Sequence, residues 1–186
     1  MKKIEGEIVQ LLERASRLMT VDQYADGLKP VQWETIRYLA RANRFSRNPG
    51  ALTEYLGATK GTVSQTVMAL ARNGFISKTP DAMDKRVVHL ELNPAGKSLL
   101  ARDPVEKMRK ALDQIPHEVQ SQLADGLKAL LTARLEMDRK KPFGICNSCR
   151  HFRRDSPHGT PHWCSLLNEP LSELNSTSIC IEHQHA

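Results

Sequence analysis

The chain has 186 residues, 40% hydrophobic and 26% charged, a composition that suits a soluble globular protein with one good core and room for an appendage. No apolar run is long enough to cross a bilayer, and the opening MKKIEGEIVQLLER interrupts its apolar residues with Glu5 and Glu7; neither a signal peptide nor an anchor is expected, and the expected compartment is cytoplasmic. The formal charge of +6 and a pI near 9.3 favour an anionic partner, and residues 30–102, with 11 Lys+Arg against 5 Asp+Glu, carry a surplus as large as that of the whole chain.

Residues 4–19 place Ile4, Ile8, Leu11, Leu12, Ala15 and Leu18 on one stripe, which predicts a first helix too one-sided to stand alone. Lys29-Pro30 opens a second helix, with Pro at its first position and Trp33, Ile36, Arg37 and Leu39 carrying it toward Arg41. Trp33 and Tyr38 are expected in core or dimer packing rather than in a ligand cage. Residues 43–50 read as a loop, followed by a short helix over 50–55 that ends at Gly57. Thr59 suits an N-cap; Val63, Val67 and Leu70 recur at the spacing of one buried helix face, and Asn73-Gly74 supplies the stop after Arg72. Two short helices joined by a tight Gly-containing turn make a helix-turn-helix. Strand-like runs at 75–79 and 87–92 flank the polar connection PDAMDKR, giving a hairpin with a basic tip. A helix start at 94–100, a break at Asp103-Pro104 and a continuation to about 114 come next. A last long helix begins near Pro116, with the stripe Val119, Leu123, Leu127, Leu130, Leu131 and Leu135. Striped helices at both ends exceed what a small winged core can cover, and burial against a second copy of the chain is the simplest solution.

The helix from Thr59 to Arg72 has an unusual outer face. Gly61, Ser64, Gln65, Met68 and Arg72 fall opposite the buried stripe, and no acid occurs from Lys60 to Lys78. An ordinary surface helix pairs Glu with Lys four residues apart. Small and hydrogen-bonding groups suit a helix lying against phosphates and base edges, with a plain amphipathic core helix as the alternative that periodicity alone allows.

The segments LKPVQWETIRYLA, LTEYLGATKGTVSQTVMALARNGFI and DAMDKRVVHLELNPAGKSLL resemble, in that order, the second helix, the helix-turn-helix and the wing with its following helix in the MarR family of winged-helix regulators. Asp81, Asp84 and Arg86 fall on the family's Asp-x-x-Asp-x-Arg wing pattern. The resemblance spans residues 1–140 in order of elements and is most specific over 28–100. It implies a mainly α fold with a small β-hairpin wing, a winged helix-turn-helix flanked by N- and C-terminal dimerisation helices. It also implies an obligate homodimer that places its recognition helices in successive major grooves of a pseudo-palindromic double-stranded DNA operator, with wing arginines in the flanking minor grooves. Pro104, inside a helix that is usually long, and the cysteine-bearing tail depart from the pattern. By residue type, Gly61 lets the helix approach the DNA backbone, Ser64 and Gln65 suit base edges, and Thr59 and Lys60 at the helix start suit phosphates. Arg86 suits a narrow minor groove and Lys85 the backbone, while Asp84 is expected to orient Arg86. Arg41, Arg44 and Arg47 are either phosphate contacts or a solvated basic loop.

From Lys140-Lys141-Pro142 the composition shifts, and a second module, 141–186, is expected to follow the 1–140 domain. It holds all four cysteines and five of the seven histidines and has too few apolar residues for a core of its own. Cys146 and Cys149 form a CxxC; Cys164 follows after fourteen intervening residues and Cys180 after a further fifteen. Four cysteines with little else to stabilise the segment point to a four-cysteine metal site, with a thiol-disulfide pair as the lesser reading. Zinc ribbons favour two CxxC knuckles, whereas here the second pair is two singletons. CNSCRHF, HWCSLL and SICIEH resemble the small four-cysteine modules that hold a [4Fe-4S] cluster in accessory subunits of glycyl-radical enzymes, so an iron-sulfur cluster is favoured over zinc. His151, His158, His162, His183 and His185 are expected to be solvated or to support the ligands, with His162, beside Trp163-Cys164, kept as a spare ligand.

The sequence therefore reads as a homodimeric DNA-binding regulator, a repressor, whose metal site either senses redox state, oxygen or iron through the packing of the long helices or merely closes the tail. A small-molecule effector stays open. The competing class is a thiol-redox or electron-transfer protein with turnover surviving removal of residues 1–140; no Ser/His/Asp set or acid pair stands out to support an enzyme.

Overall fold

A computed structural model describes residues 2–82, 84–156 and 159–185, so Met83 in the wing connection and His158 in the tail lie outside the described residues. The elements follow the predicted order: α1 (Lys2–Asp22), α2 (Pro30–Arg41), α3 (Pro49–Leu56), α4 (Lys60–Arg72), the hairpin β1 (Ile76–Pro80) and β2 (Val88–Leu92), α5 (Pro94–Leu99), α6 (Glu106–Leu112) and α7 (His117–Met137). The apolar stripes of α2, α3 and α4 meet the inner face of the hairpin. Trp33, Ile36 and Leu39 pack with Leu52, Val63, Leu70, Ile76 and Leu90 in one buried cluster. Trp33 and Tyr38 are both enclosed in this core.

Local chemistry sets the helix-turn-helix. The Asn48 side chain accepts the Ala51 N–H at 2.8 Å, so α3 starts at Pro49, one residue before the predicted start. Gly57 closes the same helix at φ +59°, a left-handed conformation that L side chains resist. Thr59 then caps α4, its Oγ1 accepting the Thr62 N–H at 3.1 Å. The hairpin pairs antiparallel from Ile76↔Leu92 to Pro80↔Val88. Its β2 is tied to the loop before α3, because the Leu90 N–H donates to the Arg47 carbonyl at 2.7 Å.

The predicted break at Asp103-Pro104 is present. A short 3-10 turn over Leu100–Arg102 ends there, since Pro104 has no N–H to continue the ladder. Asp103 is almost fully buried; its Oδ1 accepts the Val105 N–H at 3.0 Å and Arg37 Nη1 at 2.9 Å, while Arg37 Nη2 donates to Gln23 Oε1 at 2.9 Å. The break thus sits pinned to α2 and to the end of α1.

Helices α1 and α7 leave their stripes uncovered. No residue of α7 is buried, and Ile4, Leu11, Leu18, Val119, Leu127 and Leu131 are 43–61% exposed.

The tail is richer in structure than expected. It contains β3 (Gly144–Ile145), a 3-10 turn (Cys146–Ser148), β4 (Phe152–Arg154), β5 (His162–Cys164), β6 (Glu169–Leu171), α8 (Glu173–Ser176) and β7 (Ile179–Cys180). β3 pairs with β7, and β4, β5 and β6 form a three-stranded antiparallel sheet. Strands of two or three residues are too short for a period of two to show in sequence. The tail also borrows the core of the larger part: Ile179 belongs to the main buried cluster, and the Asn43 N–H donates to the Ile179 carbonyl at 2.9 Å.

Candidate functional site

The residues singled out in sequence occupy two separate places. On α4, burial of Val63, Thr66, Val67 and Leu70 turns Lys60, Gly61, Ser64 and Gln65 outward, all exposed, with Thr59 exposed at the cap. Periodicity did not single out Thr66, whose hydroxyl is hidden by donating to the Thr62 carbonyl at 2.8 Å. The Thr59 hydroxyl oxygen is engaged by the cap and by Thr62 Oγ1 at 3.0 Å, so the outward groups at this helix start are Lys60 and the first-turn backbone.

At the wing tip, Lys85 and Arg86 are exposed. Asp84 takes Arg86 in a two-point clasp, Nε to Oδ1 at 3.0 Å and Nη2 to Oδ2 at 2.9 Å, and also accepts the Arg86 N–H at 3.0 Å. Hydrogen bonding from Arg86 holds the Asp84 carboxyl below its usual range. Asp81 supports the turn: its Oδ1 accepts the Asp84 N–H at 3.0 Å and its Oδ2 lies 2.8 Å from His89 Nε2. The Asp-x-x-Asp-x-Arg pattern is therefore a turn-building device that presents Arg86.

The loop arginines behave differently from one another. Arg44 reaches Glu169 Oε2 at 2.8 Å and the Pro170 carbonyl at 3.2 Å, and lies over the Phe45 ring, so it holds the tail. Arg47 turns back onto the Ala42 carbonyl at 2.9 Å. Arg41 is exposed at the end of α2.

The second place is in the tail. Cys146 in the 3-10 turn, Cys149 just after it, Cys164 on β5 and Cys180 on β7 line one cavity of about 20 Å³ together with His151, Phe152, Leu166, Leu171 and Glu182. All four are free thiols. Asn43 Nδ2 donates to Cys146 Sγ at 3.4 Å and the Gln184 N–H to Cys149 Sγ at 3.5 Å. A hydrogen bond from Cys146 lowers the Cys180 thiol to about 6, and the same bond, with burial, pushes Cys146 up. His162 does not line the cavity. Its Nε2 lies 3.2 Å from Glu173 Oε2 and its ring packs on Phe152 at 4.7 Å, while His151 Nε2 is 3.0 Å from Gln184 Oε1. His183 Nε2 meets Ser148 Oγ at 3.0 Å, and burial together with neighbouring His185 holds its pKa down. Among the described residues, no three His, Cys, Asp or Glu side chains stand close enough to grip a single ion.

The sequence pattern of the MarR family matches residues 26–87, which run from the turn before α2 to the wing connection. This segment is similar to the MarR family and folds as a winged helix-turn-helix. The fold of the larger part agrees with solved MarR-type structures. FabT of Streptococcus pneumoniae, solved in complex with DNA, superposes with a TM-score of 0.57 at 22% identity, over 73% of this chain and 98% of that one. MepR of S. aureus, solved as a DNA complex, gives 0.58 at 22% identity over 67% and 96%. A MarR transcriptional regulator from Methanosarcina mazei gives 0.58 at 18% identity over 73% and 99%. No curated protein matches the chain. At these identities the superpositions establish the MarR fold, and the cysteine tail lies outside the family match.

Proposed function

We propose that the protein is a DNA-binding transcriptional regulator that works as a homodimer on a pseudo-palindromic operator, through the outward face of α4 and the wing. The observation that carries this is the pairing of an acid-free, exposed recognition face on α4 with an Arg86 clasped and aimed by Asp84, in a segment of the MarR family. FabT and MepR, which share the fold, were each solved with DNA. The dimer follows from the uncovered stripes of α1 and α7, which a second copy would bury. Repression is the expected outcome, since a protein occupying its operator blocks a promoter without needing any further contact. No helix among the described residues is long and apolar enough to cross a membrane, and the surplus of cations over residues 30–102 suits a nucleic-acid partner.

The test begins with duplexes selected by the protein from a random-sequence pool. Gln65→Ala should weaken the selected site by about 1–3 kcal/mol and relax discrimination at one base position; Lys60→Ala should weaken all sequences alike and make the salt slope shallower by about one unit. Parent-like binding by both variants would show that α4 is not the recognition helix.

A further inference from the structure

We propose that Cys146, Cys149, Cys164 and Cys180 hold one iron-sulfur cluster, and that the loop 42–48 transmits its presence to the DNA-binding head of the same chain. The first half rests on the cradle. Four free thiols drawn from four places in the tail converge on one cavity whose remaining walls are largely apolar, with Phe152, Leu166 and Leu171 among them. Two sulfurs already receive N–H donors, from Asn43 and from the backbone of Gln184, the kind of bond that stabilises thiolate ligands and tunes a cluster. Four-cysteine sites serve both zinc and iron-sulfur clusters; CNSCRHF, HWCSLL and SICIEH resemble cluster-holding modules, and the metal assay below decides between the two.

The second half rests on where the tail docks. Cys146 is bonded to the Asn43 side chain, whose Oδ1 accepts the Ser46 N–H at 3.0 Å. One residue beyond Cys180, the Ile181 N–H donates to Ser46 Oγ at 3.0 Å, and Ile179 bridges to Ala42. The same loop ends in Asn48, the cap of α3, and its Arg47 carbonyl accepts the Leu90 N–H of the wing at 2.7 Å. The ligands thus reach both parts of the winged helix-turn-helix through a few hydrogen bonds. This coupling presupposes the DNA-binding role proposed above; the cluster does not.

The experiment uses the full chain, purified without oxygen, as parent, Cys149→Ala and Ser46→Ala. Iron, sulfide and zinc are assayed with the absorption spectrum, tail integrity by limited proteolysis, hydrogen exchange over 42–56 and 88–92, and affinity for the selected duplex at one salt concentration. The parent should carry iron and sulfide with a broad visible absorption. Cys149→Ala should lose these, expose its tail to protease, exchange faster over 42–56 and change duplex affinity by about 5- to 150-fold. Ser46→Ala keeps every thiolate, so it should retain the iron while its affinity shifts toward that of Cys149→Ala. Stoichiometric zinc without colour would overturn the cluster, and a metal-free parent with a folded tail would overturn the metal site itself. Iron present, with superimposable duplex curves and exchange for all three proteins, would overturn the coupling. Failure to select any duplex would overturn the DNA-binding role alone, because spectrum and exchange still decide the cluster and its contact with the loop.

Discussion

Leu127→Glu should dissociate the proposed dimer. Ten large apolar side chains on the stripes of α1 and α7, from Ile4 to Leu18 and from Val119 to Leu131, are 36–61% exposed in the single chain. Fully burying such a side chain is worth about 1.5–3 kcal/mol, so covering the half still exposed contributes about 1 kcal/mol each, or roughly 10–30 kcal/mol for both chains. Association costs about 4–15 kcal/mol, so at the middle of both ranges about 10 kcal/mol remains, a dissociation constant below micromolar. Leu127, 43% exposed, lies mid-stripe in α7. A carboxylate there loses the apolar gain and must be desolvated, and the two-fold axis counts the change twice. Together these effects amount to about 4 kcal/mol or more, roughly a thousandfold in the dimer constant. Sedimentation equilibrium from nanomolar to micromolar protein measures it, with Ser121→Glu, the same charge off the stripe, as control. Equal dissociation constants for the two variants would refute the assignment of α7 to the interface.

Asp84→Asn should remove the two-point clasp while leaving Arg86 in place; affinity for duplexes with A·T-rich flanks should fall several-fold, with discrimination at the Gln65 position unchanged, in competition binding against G·C-flanked duplexes. Gly96→Ala should destabilise the fold by about 1–3 kcal/mol in urea unfolding, because a Cβ at Gly96 would run into the Phe75 carbonyl at the start of the hairpin; an unchanged midpoint would mean that α5 and the hairpin can part without cost.

Most of the winged part was legible because its periodicities are long and its punctuation is chemical. Val63, Val67 and Leu70 mark one face over about two turns of α4, and Thr59 and Gly57 bound the turn before it by a cap and a left-handed residue. The Asp84–Arg86 clasp was readable from residue type at two-residue spacing, since an acid and a guanidinium so close in a turn have few other ways to meet. The role of Arg44 was not: its partner Glu169 lies 125 residues away, and no local pattern announces a contact of that range. The tail's strands were invisible for a different reason. Elements such as Ile179–Cys180 are shorter than one alternation, and register there is set by pairing with Gly144–Ile145 and by docking on Ala42. His162 stood beside Cys164 in sequence, yet strand pairing carries its ring to Phe152 and Glu173.

Where the tail docks decides which motions it can govern. From sequence, its position after the last long helix suggested that a change at the cysteines would act on the dimer helices. The contacts run elsewhere. The segment joining α7 to the tail does place Phe143 against Tyr55 and Tyr38, at ring separations of 5.2 and 6.4 Å, but the cysteines themselves meet Asn43 and Ser46, next to the α3 cap and the wing strand. The two routes leave different traces on DNA. A shift of the long helices would move the two heads relative to each other and change the preferred half-site separation, whereas loosening of the 42–48 loop would change affinity at a fixed separation of about one helical turn. With Asn43 and Ser46 tied to the tail and Arg47 and Asn48 tied to the wing and α3, the second route is the shorter one. A head acting as one such packed unit can change its affinity for DNA while its partner stays in place.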